Sequence, residues 1–155
     1  MNNAIYIFKR LKSRIYKKFA EYFFIYPKKK SCNICNWSGS RFLNDQWHKN
    51  VICPKCFSSV RHRLFKAALD EFQKKDSPPI IVNKNILHCA PDKCLIKFLK
   101  ISSKTYTTGD LLREDCDLLI DLCDMKNISN NSYDLIIAFD ILEHVESVKN
   151  ALTEI

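Results

Sequence analysis

The stretch Tyr133–Val145, YDLIIAFDILEHV, decides the fold class of this 155-residue chain. Leu135, Ile136, Ile137, Ala138 and Phe139 form an unbroken apolar run, which suits a parallel strand buried on both faces. Asp140 stands where that strand should end, and a helix-like segment follows. Ligands of open α/β sheets lie beyond the carboxyl ends of the strands. Asp140 is therefore placed where a ligand would be met.

The sequence upstream carries the same α/β pattern. Residues 86–89 read as a first strand. Residues 92–100 read as a helix capped by Asp92, with Leu95, Phe98 and Leu99 inward. Residues 105–108 form a second strand ending at Gly109 and Asp110, residues 117–120 a third ending at Asp121, and residues 133–139 the fourth. A last helix starts at Ser147. Only six residues, 111–116, join the second and third strands, whereas a parallel crossover usually takes a dozen or more. The third strand is short, ~13 Å at ~3.3 Å per residue, and six extended residues reach roughly 20 Å. A bare loop is expected there.

The net charge of +8 is unevenly placed. Residues 1–30 hold nine basic residues and one acid, while the other 125 hold sixteen of each. The basic character thus belongs to an N-terminal arm and is no nucleic-acid signature of the whole chain. Within the arm, Ile5, Phe8, Leu11, Ile15, Phe19 and Tyr22 recur at helical spacing, and Pro27 with Lys28–Lys30 ends the pattern. Such a basic amphipathic helix either docks on the body of the protein or lies on an anionic membrane surface. No apolar run is long enough to span a bilayer. The start also lacks the apolar core and cleavage site of a secretion signal. A cytoplasmic location is expected, with peripheral membrane association through residues 1–30 as an open alternative.

Eight cysteines without a secretion signal point to a reducing compartment. Cys32-x2-Cys35 and Cys53-x2-Cys56 lie seventeen residues apart, the spacing of a four-cysteine zinc site. Two-residue gaps let neighbouring thiolates grip one ion, and four protein ligands leave no open position, so the zinc is expected to be structural. Lys55 and Arg61 are expected to offset the surplus thiolate charge. Trp37, Phe42 and Trp47 read as the ribbon's own small core, with a nucleic-acid stacking surface as the alternative use. Cys89, Cys94, Cys116 and Cys123 sit among apolar residues and read as core. Residues 60–75 read as a helix with Leu64, Ala67, Ala68, Leu69 and Phe72 inward, ended by a linker at residues 76–79.

Several strings act together: CPKC followed by FSSVRHR, then a helix, then LHCAPD, then YDLIIAFDILEHV. In this order they resemble class I S-adenosylmethionine-dependent methyltransferases of the type 11-like group that carry an N-terminal zinc ribbon. The resemblance covers residues 31–155. It implies an α/β fold in which a partial Rossmann-like sheet, its first four strands, follows a four-cysteine zinc ribbon, and the basic amphipathic helix read from its spacing at 1–30 precedes both. The implied parts are the ribbon at 31–63, a helix and linker at 64–83, and the N-terminal half of the cofactor domain at 84–155. The implied activity is methyl transfer from S-adenosylmethionine to an O, N or C nucleophile, with the acceptor unidentified.

The resemblance also implies roles at the strand ends. His88, Ala90 and Pro91 form the loop after the first strand. Asp110 accepts the ribose hydroxyls, Asp121 and Leu122 meet the adenine, and Phe139 and Asp140 lie under the methionine end or the substrate. The loop HCAPD departs from the family's Gly-rich turn, and the chain has only two glycines. Glu143 and His144 follow the fourth strand, and neither is assigned as a general base. A complete sheet of the family has more than four strands. The chain therefore reads as the N-terminal portion of such an enzyme, with its fourth strand a bare edge. The rival reading is a binding module whose ribbon and arm contact nucleic acid or membrane, with a vestigial α/β part.

Overall fold

Two cysteine knuckles organise the first part of the chain and a parallel sheet organises the second. The computed structural model describes residues 30–75 and 80–155. The amphipathic helix expected in the arm and the linker at 76–79 lie outside the described residues. The chain divides into two units, Met1–Ala68 and Leu69–Ile155, and each is described by itself.

In the first unit, β1 (Lys30–Ser31) and β2 (Ser38–Gly39) pair antiparallel around the first knuckle. Leu43 and Ile52 form an antiparallel bridge that closes the loop between the knuckles. Cys32, Cys53, Trp37 and Phe42 make the buried core. The Trp37 and Phe42 rings are tilted, with centroids 5.5 Å apart. Trp47, expected to join them, does not: it is 80% exposed at the tip of the loop. Its neighbours on both sides, residues 44–50, are exposed too, so no apolar surface is offered to its ring from within the loop.

Helix α1 (Val60–Lys75) starts in the ribbon and runs past the unit boundary. Its inward face is the expected one only at Leu69, which is buried, and Ala68, which is half-buried. Leu64, Ala67 and Phe72 are exposed instead, and His62 is buried. The first turn explains the rotation. The Ser59 backbone N–H donates to His62 Nδ1 at 2.9 Å, and Arg63 donates to the Ser58 and Val51 carbonyls at 2.6 and 2.9 Å. Polar anchors at 62 and 63 turn the helix and place Leu64 outward. Among the described residues, no helix is long and apolar enough to cross a membrane.

The second unit alternates strand and helix: β3 (Asn85–Cys89), α2 (Lys93–Ser102), β4 (Thr105–Asp110), β5 (Leu118–Leu119), β6 (Leu135–Ala138), a 3-10 turn (Leu142–His144) and α3 (Val148–Glu154). The four strands form one sheet in the order β5-β4-β3-β6, every pairing parallel. The third and fourth strands are shorter than expected, and β4 and β5 are joined by a loop without a helix, as expected. The β6 strand pairs only with β3 among the described residues, which makes it an edge.

Alternation along β3 explains its double burial. Leu87 and Cys89 join Ile120, Leu122, Met125 and Ala151 in one buried cluster. Ile86 and His88 face the other side and are equally buried. Helix α2 packs against β4 and buries Leu95 and Leu99, one turn apart. Asp92 occupies its N-cap position without a side-chain capping bond. Ser147 does cap α3, its hydroxyl accepting the Asn150 N–H. Gly109 matters by size: a Cβ there would stand 2.4 Å from Ile120 Cδ1.

Candidate functional sites

The four ribbon cysteines converge. Their sulfur atoms all lie within 4.8 Å of one another, with Cys32 Sγ 3.7 Å from Cys56 Sγ and Cys35 Sγ 3.6 Å from Cys53 Sγ. A tetrahedron with metal–sulfur bonds of about 2.3 Å has edges of about 3.8 Å. The cluster is therefore already at the size of a zinc–tetrathiolate centre, and its donor set suits zinc. Four thiolates occupy every position of such a centre, which makes it structural. The other four cysteines lie outside this cluster.

Both knuckles are built alike. The Asn36 N–H donates to the Cys32 carbonyl and the Phe57 N–H to the Cys53 carbonyl, each at 2.9 Å. The Cys32 and Cys53 N–H groups donate in turn to Trp37 and Ser58 carbonyls. The residue after each second cysteine is left-handed, Asn36 at φ 56° and Phe57 at φ 60°. Asparagine tolerates that region and phenylalanine is strained in it.

The sequence reading missed Ser58 and Arg63. The Ser58 hydroxyl is fully buried, 3.1 Å from Cys56 Sγ and 3.4 Å from Cys32 Sγ. Arg63 stacks 4.1 Å over the Phe42 ring while clamping two ribbon carbonyls. Hydrogen bonds from Cys35, Cys53 and Cys56 hold the Cys32 thiol far below the usual range, and the contact with Cys32, then Cys35, pushes Cys53 up. Crowded sulfurs without a cation cannot all ionise, and a divalent ion removes that conflict.

The second candidate site lies at the carboxyl ends of the sheet. Because all four strands are parallel, Ala90, Asp110, Asp121 and Asp140 follow their strands at one edge. The strand order reverses between β3 and β6, since β4 and β5 lie on one side of β3 and β6 on the other. A crevice opens at such a reversal. The residues just past those two strand ends, Ala90 at φ 47° and Asp140 at φ 51°, are both left-handed. Ala90 also donates its N–H to the Gly109 carbonyl at 2.8 Å. A side chain larger than a methyl group would be costly in that conformation, so the turn does with alanine what glycine does more freely.

Asp110 ends β4 with its side chain 14% exposed. Its Oδ1 accepts the Leu112 and Arg113 N–H groups at 2.9 and 3.1 Å, and Oδ2 stands 4.0 Å from Arg113 Nη1. One oxygen thus holds the loop and the other faces a cation. Arg113 also donates to the Pro91 carbonyl at 3.0 Å and pairs with Asp115, tying the loops after β3 and β4 together. No sequence signal marked it apart from its place in the Asp110 turn. Asp121 is exposed, and its Oδ1 accepts the Cys123 N–H at 2.8 Å. Phe139 is half-buried, and Asp140 is exposed.

Three further residues expected at this site are withdrawn from solvent. His88, Pro91 and Leu122 are buried. His88 Nδ1 bonds the Tyr106 hydroxyl at 2.7 Å, and its Nε2 is buried with no partner among the described residues. Burial above all, with Arg113 nearby, pulls its pKa down to about 4, so the ring is neutral. Burial, then the Asp110 charge, pushes the Cys89 thiol up to about 12, which leaves it protonated in the core. A cavity of about 370 Å³ lies elsewhere, between residues 128–133, Ile136 of β6 and the end of α3, and is lined by none of the strand-end carboxylates.

Comparison with protein-family models, with curated proteins and with solved structures finds no match. The chain is thus an α/β protein with a four-stranded parallel sheet and a four-cysteine cluster able to hold zinc.

Proposed function

We propose that the α/β unit is the N-terminal part of a Rossmann-like, S-adenosylmethionine-dependent methyltransferase domain, stabilised separately from a structural zinc ribbon. The observation that carries this reading is the strand order β5-β4-β3-β6, with acids beyond three of the four parallel strands on one edge. A crevice at such a reversal point is where a nucleoside-sized ligand would lie, which supports this reading. S-adenosylmethionine supplies an activated methyl group on a sulfonium, so the protein's part is to bind, orient and exclude water.

In this reading Asp110 uses Oδ2 toward the ribose diol while Oδ1 stays on the loop. The left-handed turn at Ala90 lets backbone approach the ligand. Asp121 lies on the adenine side, and Phe139 with Asp140 lies under the methionine end. The carboxylates suit a cationic sulfonium ligand. His88 and Leu122 support these loops from the core, and no residue is assigned as a base. The methyl acceptor is any O, N or C nucleophile that reaches the crevice.

Calorimetry of the zinc-loaded chain with S-adenosylmethionine tests the proposal. Saturable binding that Asp110→Ala abolishes is the expected result. Absence of binding by the folded chain, or binding indifferent to Asp110, overturns it.

A further inference from the structure

The ribbon carries one feature that neither its metal nor the sheet explains. Trp47 is 80% exposed, the most exposed aromatic residue of the described chain. Its loop is nevertheless well built. The Leu43–Ile52 bridge closes the base. Asp45 Oδ1 accepts the N–H groups of Trp47, at 2.7 Å, and of His48, while Asn44 Oδ1 accepts the Asn50 N–H at 3.0 Å. The Asp45 N–H donates to the His48 carbonyl at 2.9 Å. These bonds hold the backbone of Trp47 and leave its indole outside.

Exposing an indole to water forgoes a large burial gain, and a loop with a fixed tip keeps the ring presented. The surroundings decide among partners. The ring is flanked by Asn44, Asp45, Gln46, His48, Lys49 and Asn50, all exposed and polar. An isolated aromatic face among amides, with one lysine and one aspartate beside it, suits a base better than an apolar groove or a bilayer interior. Charge points the same way. Residues 31–68 hold six basic residues (Arg41, Lys49, Lys55, Arg61, Arg63, Lys66) and one acid, Asp45, and with the formal charge of minus two on a zinc–tetrathiolate centre the ribbon keeps a surplus of three. The later residues offset this surplus, which hides it in the composition of the body.

We infer that the ribbon tip binds single-stranded nucleic acid, with Trp47 stacking on an unpaired base and Lys49 of the same loop on a phosphate. Stacking needs a splayed base, so single strands are the fitting form. The inference does not depend on methyl transfer and adds a nucleic-acid contact to whatever the α/β unit does.

The test is fluorescence titration of the zinc-loaded full chain with an oligouridylate of about 12 nucleotides at low salt. Trp37 is buried in the ribbon core, so quenching on binding reports Trp47. Trp47→Ala should weaken binding about five- to a hundred-fold, and Trp47→Phe should retain most of it. The removed side chain is on the surface, so folding is unaffected, which a zinc content of one per chain verifies. Lys49→Ala should reduce the slope of log affinity against log salt by about one. Equal binding by Trp47→Ala assigns the affinity to charge alone and overturns the inference. So does a failure to bind the oligonucleotide, with or without a blue shift of Trp47 on anionic phospholipid vesicles.

Discussion

Gly109→Ala is expected to destabilise the α/β unit by about 1–2 kcal/mol, the lower part of the range for overpacking a core. The added Cβ would stand 2.4 Å from Ile120 Cδ1 and 2.8 Å from Cγ1, where ordinary contact begins at 3.4 Å. Ile120 must therefore give way by about 1 Å. It is only 9% exposed and is packed with Leu87 and Leu122, so the movement passes to its neighbours. The clashing atoms belong to a side chain and not to backbone, which keeps the cost below that of a blocked strand. Ile120→Val removes the nearest methyl group and alone costs about 0.5–1.5 kcal/mol. The double variant should lose less than the sum, with a coupling of at least about 0.5 kcal/mol. Urea unfolding of the zinc-loaded chain, followed by far-UV circular dichroism, reads the effect. Both tryptophans, Trp37 and Trp47, lie in the ribbon, so indole fluorescence follows that unit and should keep its midpoint. An unchanged dichroism midpoint in Gly109→Ala, or strict additivity in the double variant, refutes the close approach of β4 to Ile120.

Chelating the metal, or Cys53→Ser, should unfold the ribbon, because its buried core is four residues and two of them are ligands. Trp37 emission should shift red while the dichroism of the α/β unit persists, and unchanged emission after complete metal removal argues against a structural centre. Acid should weaken the α/β unit through His88, whose ring takes a proton near 6.5 when unfolded but only near 4 when folded. Between those values the unfolded chain binds more protons, so stability falls as pH drops from about 6.5 to 4, by up to about 3 kcal/mol. His88→Gln should flatten urea midpoints measured across that window, and an unaltered slope in the variant counts against this origin. At the left-handed turn, Ala90→Gly should be neutral or stabilising by up to about 1 kcal/mol, whereas Ala90→Val should cost about 1–2 kcal/mol. Thermal melts that rank valine equal to glycine contradict the backbone conformation at that site.

Features set by nearest neighbours were legible before any coordinates. The apolar run 135–138 and the short strands before it alternate with helical spacing, and they appear as β3, β4, β5 and β6 in that order. The parallel arrangement then brings the acids at the ends of β4, β5 and β6 to one edge. The inward face of α1 was misread because apolar spacing alone chose it. His62 and Arg63, bonded to ribbon backbone, fix the rotation instead. Trp47 was misread for a related reason: aromatic character says nothing of whether a loop folds back over the ring.

Spacing along the chain was sufficient for the four-cysteine cluster, because each CxxC pair must point two thiols at one place and a second pair can complete a metal's shell. It was also sufficient for the α/β class, because buried parallel strands have no polar face to disguise. Contacts between distant loops had no such local trace. Arg113 bridging to Pro91, Ser58 touching two sulfurs, and His88 withdrawn against Tyr106 each depend on how separate segments pack. Packing alone settles which polar groups lose water and which keep it.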